Sequence, residues 1–434
     1  MPNGSMEGLG DSTEKSAITP QDLSWQARDT GWMLNLFGTA IGAGVLYLPI
    51  NAGAGGIWPL IVLAALAGPM VWLAHRNLVR FCLSSCDPQA NITTTVQEHF
   101  GEGTGRWLTL AYFLSIYPIL LLYSIGITNV VINFLEYQLH MEPFSRVWLS
   151  LLLVVGMVAI MHAGEQWMLR FVKILVYPLV AVLFCISLYL VPSWNSAAFD
   201  APISGLDMLI TLFITTPLLI FSFNHSPACS AFAQAYRKRY GNGQACIQKT
   251  SQILGRNTLL LLVVILFFVF SCVLTLTPED LGQAKALNVP VLSVLASSAD
   301  NPVFAIVAPI IAFLAIASSY FGVYLGTLEG LQGLVTQQWL KHYPERPINN
   351  QALRRFSALF LILTCWGTAC ANWSVISMVE ALIMPVLATI LYLMPVYAFY
   401  RVDRLKHYRS KVLDGFVFIV GIMAISGFLV EKLF

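Results

Sequence analysis

The stretch Gly38–Asn51, with the sequence GTAIGAGVLYLPIN, decides how this chain folds. It lies inside the first long apolar run, which is long enough to cross a membrane as a helix. Gly38, Gly42 and Gly44 each weaken a helix at its centre, and Pro49 removes a further backbone hydrogen bond. The stretch therefore predicts a helix that is broken at mid-membrane. The alternative is close packing between helices through small residues.

A broken helix leaves backbone N–H and C=O groups that lipid cannot satisfy, so another partner must bind them. The N-terminus of the second half-helix offers N–H groups to a carboxylate, and the unwound carbonyls accept an ammonium group or a metal cation. A small zwitterion carries both charges. The break thus predicts a binding site for such a molecule, with these candidate residues: Thr39, Ala40, Gly42, Ala43 and Gly44.

Composition defines the class of protein. Hydrophobic residues make up 57% of the 434 residues and charged residues 11%, with a mean hydropathy of +0.72. A soluble domain carries about 25% charged residues, so this is an all-α polytopic membrane protein in contact with lipid. The eight cysteines lack metal-ligand spacing, and we expect no metal and no cofactor. The net charge of +2 says little, and we expect no nucleic-acid partner.

Eleven apolar segments are long enough to span a membrane. They are placed at 28–53, 57–83, 105–138, 146–163, 168–191, 206–235, 257–276, 302–335, 352–371, 374–400 and 411–433. With a cytoplasmic N-terminus, all but three of the 24 Lys and Arg residues fall on the inside, the exceptions being Arg146, Lys285 and Lys432. This asymmetry obeys the positive-inside rule and predicts a C-terminus on the opposite, periplasmic side.

A second interruption lies in the sixth segment, where Pro217 and Pro227 bracket a run of small and polar residues. Phe221, Ser222 and Asn224 lie beside this break and are candidate substrate ligands, although the polar pair also suits capping of the half-helices.

His225, next in the run, fits two interpretations, a hydrogen-bonded structural residue or a proton carrier. Segments 1 and 6 each begin a block of five helices, and interrupted helices at corresponding positions indicate an inverted-repeat transporter. The predicted organisation is a cytoplasmic tail at 1–27, a first five-helix repeat at 28–191 and a second at 206–400. A cytoplasmic loop and the eleventh helix follow at 401–434.

Polar groups at membrane depth supply candidates for ion coupling. Lys173 in segment 5 is either functional or extends to the inner interface, and Glu329 in segment 8 is either a gate or an interfacial residue. Ser318 and Ser319, near the middle of segment 8, either ligate a cation or bond back to their own helix. Tyr117 in segment 3 is a further substrate candidate, with packing as the alternative.

Several motifs carry a family resemblance: GTAIGAGVLYLPINAG at 38–53, YPILLLYSIGITN at 117–129, FSFNHSP at 221–227, FFVFSCVLTLTPEDL at 267–281 with VPVLSVLA at 289–296, and YLGTLEGLQGL at 324–334. The chain resembles the bacterial hydroxy and aromatic amino acid permeases, and among them the serine and threonine proton symporters. The resemblance implies the five-plus-five inverted-repeat fold of the amino acid–polyamine–organocation transporters, with an eleventh helix. It also implies a bacterial inner-membrane protein that takes up a small amino acid with protons by alternating access.

The chain departs from these relatives in segment 8, where they usually carry a lysine and this chain reads SSYFGV at 318–323. The relatives have a small polar residue at the position of Lys173. In this fold, segments 5 and 8 face each other across a cation site beside the first break. We therefore expect the Lys173 ammonium to occupy that site, next to Ser318 and Ser319.

The leading interpretation is a proton-coupled symporter for serine or threonine. A sodium-coupled carrier, with Ser318 and Ser319 as oxygen ligands, and an aromatic amino acid permease are the alternatives. An enzyme is not expected, because the sequence contains no HExxH and no GxSxG motif. A channel fits poorly, since two breaks suit an occluded site better than a continuous pore.

Overall fold

The computed structural model describes residues 24–42, 44–53, 56–141, 144–200, 204–287, 290–298, 302–372 and 383–433. Within these ranges the chain is helical, with no strand. The helices in chain order are α1 (Ala27–Ala40), α2 (Gly44–Gly53), α3 (Ile57–Cys82), α4 (Ile92–Asn133), α5 (Arg146–His162), α6 (Glu165–Leu190), α7 (Ala197–Asp200), α8 (Gly205–Ser222), α9 (Ser226–Tyr240), α10 (Gln244–Leu261), α11 (Phe267–Thr275), α12 (Pro278–Leu287), α13 (Val291–Ser298), α14 (Pro302–His342), α15 (Asn350–Ala371), α16 (Met384–Ala388), α17 (Met394–Arg401) and α18 (Lys411–Leu433). Short π-helical segments extend α4 at Phe134–Gln138, join α10 to α11 at Leu262–Leu266 and join α16 to α17 at Thr389–Leu393.

Each predicted segment is helical over its described residues, apart from the two breaks. Seven helices, counting those joined by π-helical segments as one, are long and apolar enough to cross a membrane in the described part of the chain. The bent pair α1 and α2 forms an eighth span, with an angle of 56° between its halves. The prediction of a multi-pass helical protein with a broken first segment is confirmed.

The two longest helices, α4 and α14, pack along each other through a stripe of glycines. Gly326, Gly330 and Gly333 recur every three or four residues on α14. A Cβ atom at any of them would lie 2.5–3.1 Å from a side-chain atom of α4. Such small residues let helices approach closely where lipid supplies no hydrophobic driving force.

Glycines also allow α1 to pack closely against α14 and α6. A Cβ atom on Gly322 of α14 would overlap the Thr39 side chain, 1.8 Å from its Oγ1. A Cβ atom on Gly38 of α1 would lie 2.8 Å from Val176 of α6 and 3.0 Å from the Ser318 Cβ of α14. The end of α1 is therefore held in a three-helix junction, immediately before the first break.

Two short helices, α12 and α13, follow α11 and lie over the end of α2. A Cβ atom on Gly53, the last residue of α2, would lie 2.7 Å from Leu281 of α12 and 2.6 Å from Val273 of α11. Leu281 and Val291, the first residue of α13, are fully buried. The segment between α11 and α14 thus covers the second half of the broken helix.

Candidate functional site

The first break separates α1 from α2 at residues 41–43, of which Ala43 lies outside the described residues. Ile41 has φ −82° and ψ 84°, outside the helical region, so the run of helical hydrogen bonds ends there. The Gly42 N–H donates to the Ala40 carbonyl instead, at 3.0 Å. The predicted interruption at mid-helix is confirmed, and the carbonyls of the last turn of α1 are freed from helical bonding.

Ser319 of α14 binds the carbonyls freed by the first break. Its hydroxyl lies 2.8 Å from the Gly38 carbonyl and 2.9 Å from the Ile41 carbonyl, with the Thr39 carbonyl at 3.3 Å. Ser318 instead bonds back to Ala315 of its own helix at 3.1 Å. Both serines are fully buried. The structure therefore places both predicted serines beside the break, but only Ser319 is bonded closely to it.

The two breaks are in contact with each other. A Cβ atom on Gly44, the first residue of α2, would lie 2.8 Å from the Phe221 ring and 3.2 Å from the Ser222 Oγ. Phe221 and Ser222 are the last two residues of α8, just before the second break. The chain thus brings together two stretches that are separated by more than 170 positions, as a single site requires.

The second break, at residues 223–225, uses its own side chains to cap the half-helix that follows. The Asn224 Oδ1 accepts a hydrogen bond from the Ser226 N–H at 3.0 Å, which caps α9. The Ser222 Oγ is buried and has no hydrogen-bond partner among the described residues. Of the two polar candidates, Asn224 has a capping role, whereas the Ser222 hydroxyl is left to bind a ligand.

His225 stacks on a histidine that the sequence analysis did not single out, His75 of α3. Their ring centroids are 3.5 Å apart and the rings are nearly parallel, at 9°. The His75 Nδ1 lies 2.8 Å from the Val71 carbonyl, so this nitrogen carries the proton, and the His75 Nε2 accepts from the His225 backbone N–H at 3.1 Å. The His225 Nδ1 lies 3.0 Å from the Phe223 carbonyl and therefore carries the proton too. This bonding uses two neutral rings and favours the structural interpretation of His225.

Tyr123, one and a half turns beyond Tyr117 on α4, is the tyrosine that faces the first break. A Cβ atom on Gly42 would lie 2.2 Å from the Tyr123 hydroxyl, which is also within hydrogen-bonding reach of Ser319. Tyr117 stacks on Phe113 at 4.8 Å and packs on Phe360 of α15 instead. The position of Tyr117 on α4 turns it toward α15, in agreement with the packing alternative, and its role as a substrate contact stays a prediction.

Lys173 lies at the N-terminal end of α1 and not beside the serines. Its Nζ donates to the Ala27 carbonyl at 3.1 Å, and its Cε lies 3.4 Å from the position of a Cβ on Gly31. Ala27 is eleven residues before Gly38, about 16 Å along the helix. The residue of α6 that contacts Gly38 is Val176, one turn after Lys173. The expected approach of the ammonium to Ser318 is thus not formed in this structure.

Two further predicted residues, Thr39 and Ala40, lie inside the protein. The Thr39 hydroxyl donates to the Asn35 carbonyl at 2.6 Å, and Ala40 is buried. Asn35 was not predicted, although it is buried and neither polar atom of its carboxamide has a partner among the described residues. Asn35 lies one turn before Thr39, so its carboxamide adds an unsatisfied polar group to α1 just before the first break.

A buried ion pair lies at the N-terminal end of α1. The Asp29 Oδ2 lies 2.7 Å from the Lys249 Nζ of α10, and both side chains are almost wholly inaccessible. The Tyr236 hydroxyl of α9 donates to the Asp29 Oδ1 at 2.5 Å. Lys249 had been assigned to a loop, because segment 7 was expected to begin at 257, whereas α10 begins at Gln244.

A second ion pair holds the same end of α1 to α6. The Arg28 guanidinium binds Glu165 at 2.7 Å, and the Trp32 indole N–H donates to the Glu165 Oε1 at 2.9 Å. The half-helix α1 is therefore fixed at its N-terminal end to α6, α9 and α10 together.

Two broken helices that meet are typical of the five-plus-five inverted-repeat transporter fold. The fold is similar to that of MhsT, solved in complex with L-phenylalanine, with a TM-score of 0.58 and 14% identity over 94% of this chain and 98% of that one. It is also similar to that of the Eremococcus coleocola manganese transporter, with a TM-score of 0.55 and 13% identity over 98% of this chain and 90% of that one.

Residues 30–350 match the tryptophan/tyrosine permease family. The chain is 46% identical to the serine transporter SdaC of Escherichia coli strain K12 over 96% of this chain and 98% of the relative. Its identity to the serine transporter SdaC of Shigella flexneri is the same over the same shares. The chain belongs to the tryptophan/tyrosine permease family, so it is an amino acid transporter and not an enzyme.

The close approach of Tyr123 to Gly42 predicts a stability change. Gly42→Ala places a methyl group against the Tyr123 hydroxyl and should lower the free energy of unfolding by about 1–3 kcal/mol, the usual cost of overpacking. Gly42→Ala combined with Tyr123→Phe should regain part of this loss, because the nearest remaining ring atom is 3.0 Å away. Thermal unfolding in detergent measures both effects.

The control for this experiment is Gly156→Ala on α5, where nothing lies within 4 Å of the added methyl group. This variant should be at least as stable as the wild type, because alanine favours a helix over glycine. A Gly42→Ala variant as stable as the control, or a double variant no better than the single one, contradicts the contact.

Proposed function

We propose that the chain imports a small neutral amino acid with a hydroxyl group, serine or threonine, by proton symport and alternating access. The observation that carries this proposal is the unpartnered, buried Ser222 hydroxyl beside the first residue of α2. The similarity to serine transporters over nearly the whole chain supports the same substrate.

In the proposed site, the substrate carboxylate binds N–H groups at the start of α2, where the helix dipole favours a negative charge. The ammonium group binds carbonyls freed at the break. Tyr123 is added to the proposed contacts, and Tyr117 stays a sequence-based prediction. The remaining proposed contacts are those predicted from the sequence: Thr39, Ala40, Gly42, Ala43, Gly44, Phe221, Ser222 and Asn224.

The substrate side chain then points toward the second break, where the Ser222 hydroxyl is free to bond a substrate hydroxyl. An analogue without that group leaves the Ser222 Oγ unpaired in a buried place, which costs about 1–3 kcal/mol. This cost corresponds to a preference of roughly five- to 150-fold. A pocket of this kind selects serine and threonine over alanine and valine.

The proton is the proposed coupling ion, and sodium is the alternative. One observation supports sodium: three backbone carbonyls lie close to the Ser319 hydroxyl, and together they form the oxygen-rich environment that a metal cation needs. Against sodium, the Ser319 hydroxyl already donates to these carbonyls, so an ion would have to displace it. Lys173 is proposed to act at the inner end of α1, where it binds the Ala27 carbonyl.

The proposed location is the bacterial inner membrane, with the N-terminus in the cytoplasm and the C-terminus in the periplasm. The distribution of basic residues supports this orientation. In this orientation the N-terminal end of α1, with its ion pairs, lies on the cytoplasmic side. The proposed repeats are 28–191 and 206–400.

The function is tested by serine uptake into proteoliposomes under an imposed pH gradient, without sodium. We expect serine uptake to saturate with concentration. Unlabelled serine and threonine should inhibit this uptake at least tenfold better than alanine, valine, tryptophan or tyrosine. Ser222→Ala should lose most of the preference for serine over alanine. The matched control is Ser426→Ala on α18, whose hydroxyl bonds only to its own helix.

Three outcomes contradict the proposal. Accumulation that requires sodium excludes proton coupling, and equal inhibition by serine and alanine excludes a hydroxyl-reading pocket. Stronger inhibition by tryptophan or tyrosine than by serine indicates an aromatic permease.

Alternating access requires the inner end of α1 to part from α9 and α10, which separates the buried Asp29–Lys249 pair. Lys249→Met leaves the Asp29 charge buried without its cation, a change that costs about 3–5 kcal/mol in the closed state. We expect this variant to bind serine but to lose concentrative uptake, because its cytoplasmic side no longer closes. Asp29→Asn combined with Lys249→Met should recover part of the uptake, since no unpaired charge remains. Full accumulation by Lys249→Met alone excludes this role for the ion pair.

A further inference from the structure

A second group of buried polar atoms lies on the cytoplasmic side of the site, around Glu329 of α14. The Glu329 Oε2 is inaccessible to solvent and has no hydrogen-bond partner among the described residues. Glu329 lies ten residues after Ser319, about 15 Å along α14. A buried carboxyl oxygen without a partner needs either its own proton or a hydrogen-bond donor from a neighbouring group.

The neighbours of Glu329 come from three other helices. Ser230 of α9 is within hydrogen-bonding reach of the carboxyl group, and its oxygen also accepts from the Ile92 N–H at 2.9 Å. Tyr112 of α4 is buried nearby, and its hydroxyl likewise has no partner among the described residues. The tyrosine hydroxyl lies 2.9 Å from the position of a Cβ on Gly326, one turn before Glu329.

The other titratable groups that face Glu329 are the thiols of Cys82 on α3 and Cys229 on α9. Arg237 is a cation that contributes to the electrostatic environment of Cys82. Its guanidinium donates to the carbonyls of Cys82, Asp87 and Ala90. In the described part of the chain, no ion pair forms with Glu329.

We propose that Glu329, with Ser230 and Tyr112, is the site that binds the transported proton and couples it to the position of α9. This inference rests on the proposed proton symport. The protonated carboxyl group is neutral, so it can stay buried beside Ser230 and Tyr112 without a counter-ion. The neutral site then holds α9 against α14 and α4.

Loss of the proton leaves a carboxylate among groups that carry no compensating positive charge. Such an ion requires water, so the contact between α9 and α14 opens to admit it. Because α9 begins just after the second break, its movement opens the substrate site from the same side. One proton taken up by the carboxylate thus accompanies each closure, and its release accompanies opening.

The test compares Glu329→Gln with the wild type in proteoliposomes, using L-serine as the probe. Three quantities are measured over a pH series: the proton influx that serine evokes, concentrative serine uptake, and serine exchange without a gradient. Glutamine keeps the shape and a donor but cannot lose a proton. We expect Glu329→Gln to exchange serine with no dependence on pH, to lose serine-evoked proton influx and to reach only equal concentrations on both sides.

Two further variants complete the design. Glu102→Gln, which removes an exposed carboxylate that pairs with Arg106 on α4, should behave as the wild type in all three measurements. Glu329→Asp should retain serine-evoked proton influx with a displaced pH profile, since the shorter side chain changes the distance to Ser230.

Serine-evoked proton influx in Glu329→Gln that equals the wild type overturns the inference. If this variant does not fold, an unchanged pH profile in Glu329→Asp overturns it. A wild-type protein that moves serine without protons contradicts the proposed function itself, whereas proton influx in both the wild type and Glu329→Gln contradicts only the role of Glu329.

Discussion

The bonding of backbone carbonyls at the first break is the constraint on which the rest of the structure depends. In hydrocarbon, every polar backbone group needs a partner inside the protein. The Gly38 and Ile41 carbonyls find theirs in the Ser319 hydroxyl of α14. This bond requires α1 and α14 to be close, and the approach is possible because Gly38 and Gly322 add no side chain between them.

The polar backbone groups at the second break are bonded in a different way, by side chains of the break itself and by a side chain of α3. Asn224 caps α9, and the stacked pair of His75 and His225 supplies one acceptor and two ring donors to the backbone. Ser222 is left over, with a buried hydroxyl that has no protein partner in the described ranges. The two breaks are thus proposed to differ in function: the first would offer backbone groups to the charged ends of a ligand, and the second would read its side chain.

Much of this arrangement was predictable, because glycine and proline act locally. The glycines around residue 42, and the prolines at 217 and 227, mark the breaks without any knowledge of the partners. Ser319 was predictable as a polar residue at membrane depth. Its bonds were not, since they depend on how α14 is rotated against α1. The same uncertainty of rotation explains why Tyr117 was chosen when Tyr123 faces the break.

Long-range pairs were the part that sequence reasoning missed. His75 lies 150 positions from His225, and nothing near either residue indicates the other. The Asp29–Lys249 pair was not predicted, because the polar first turns of α10, which carry Lys249, resemble a loop in sequence. Lys173 was drawn to the ion site by analogy, yet its side chain reaches a nearer acceptor at Ala27. Long side chains on helices choose among several acceptors, and spacing alone does not decide between them.

The two breaks are proposed to form one binding site for serine, and a cryo-EM structure of the protein saturated with L-serine tests this directly. We expect density for one serine between residues 40–44 and 221–225, with its carboxylate at the first N–H groups of α2 and its hydroxyl within hydrogen-bonding distance of the Ser222 Oγ. Serine bound elsewhere, such as between Tyr117 and Phe360, would contradict this proposal.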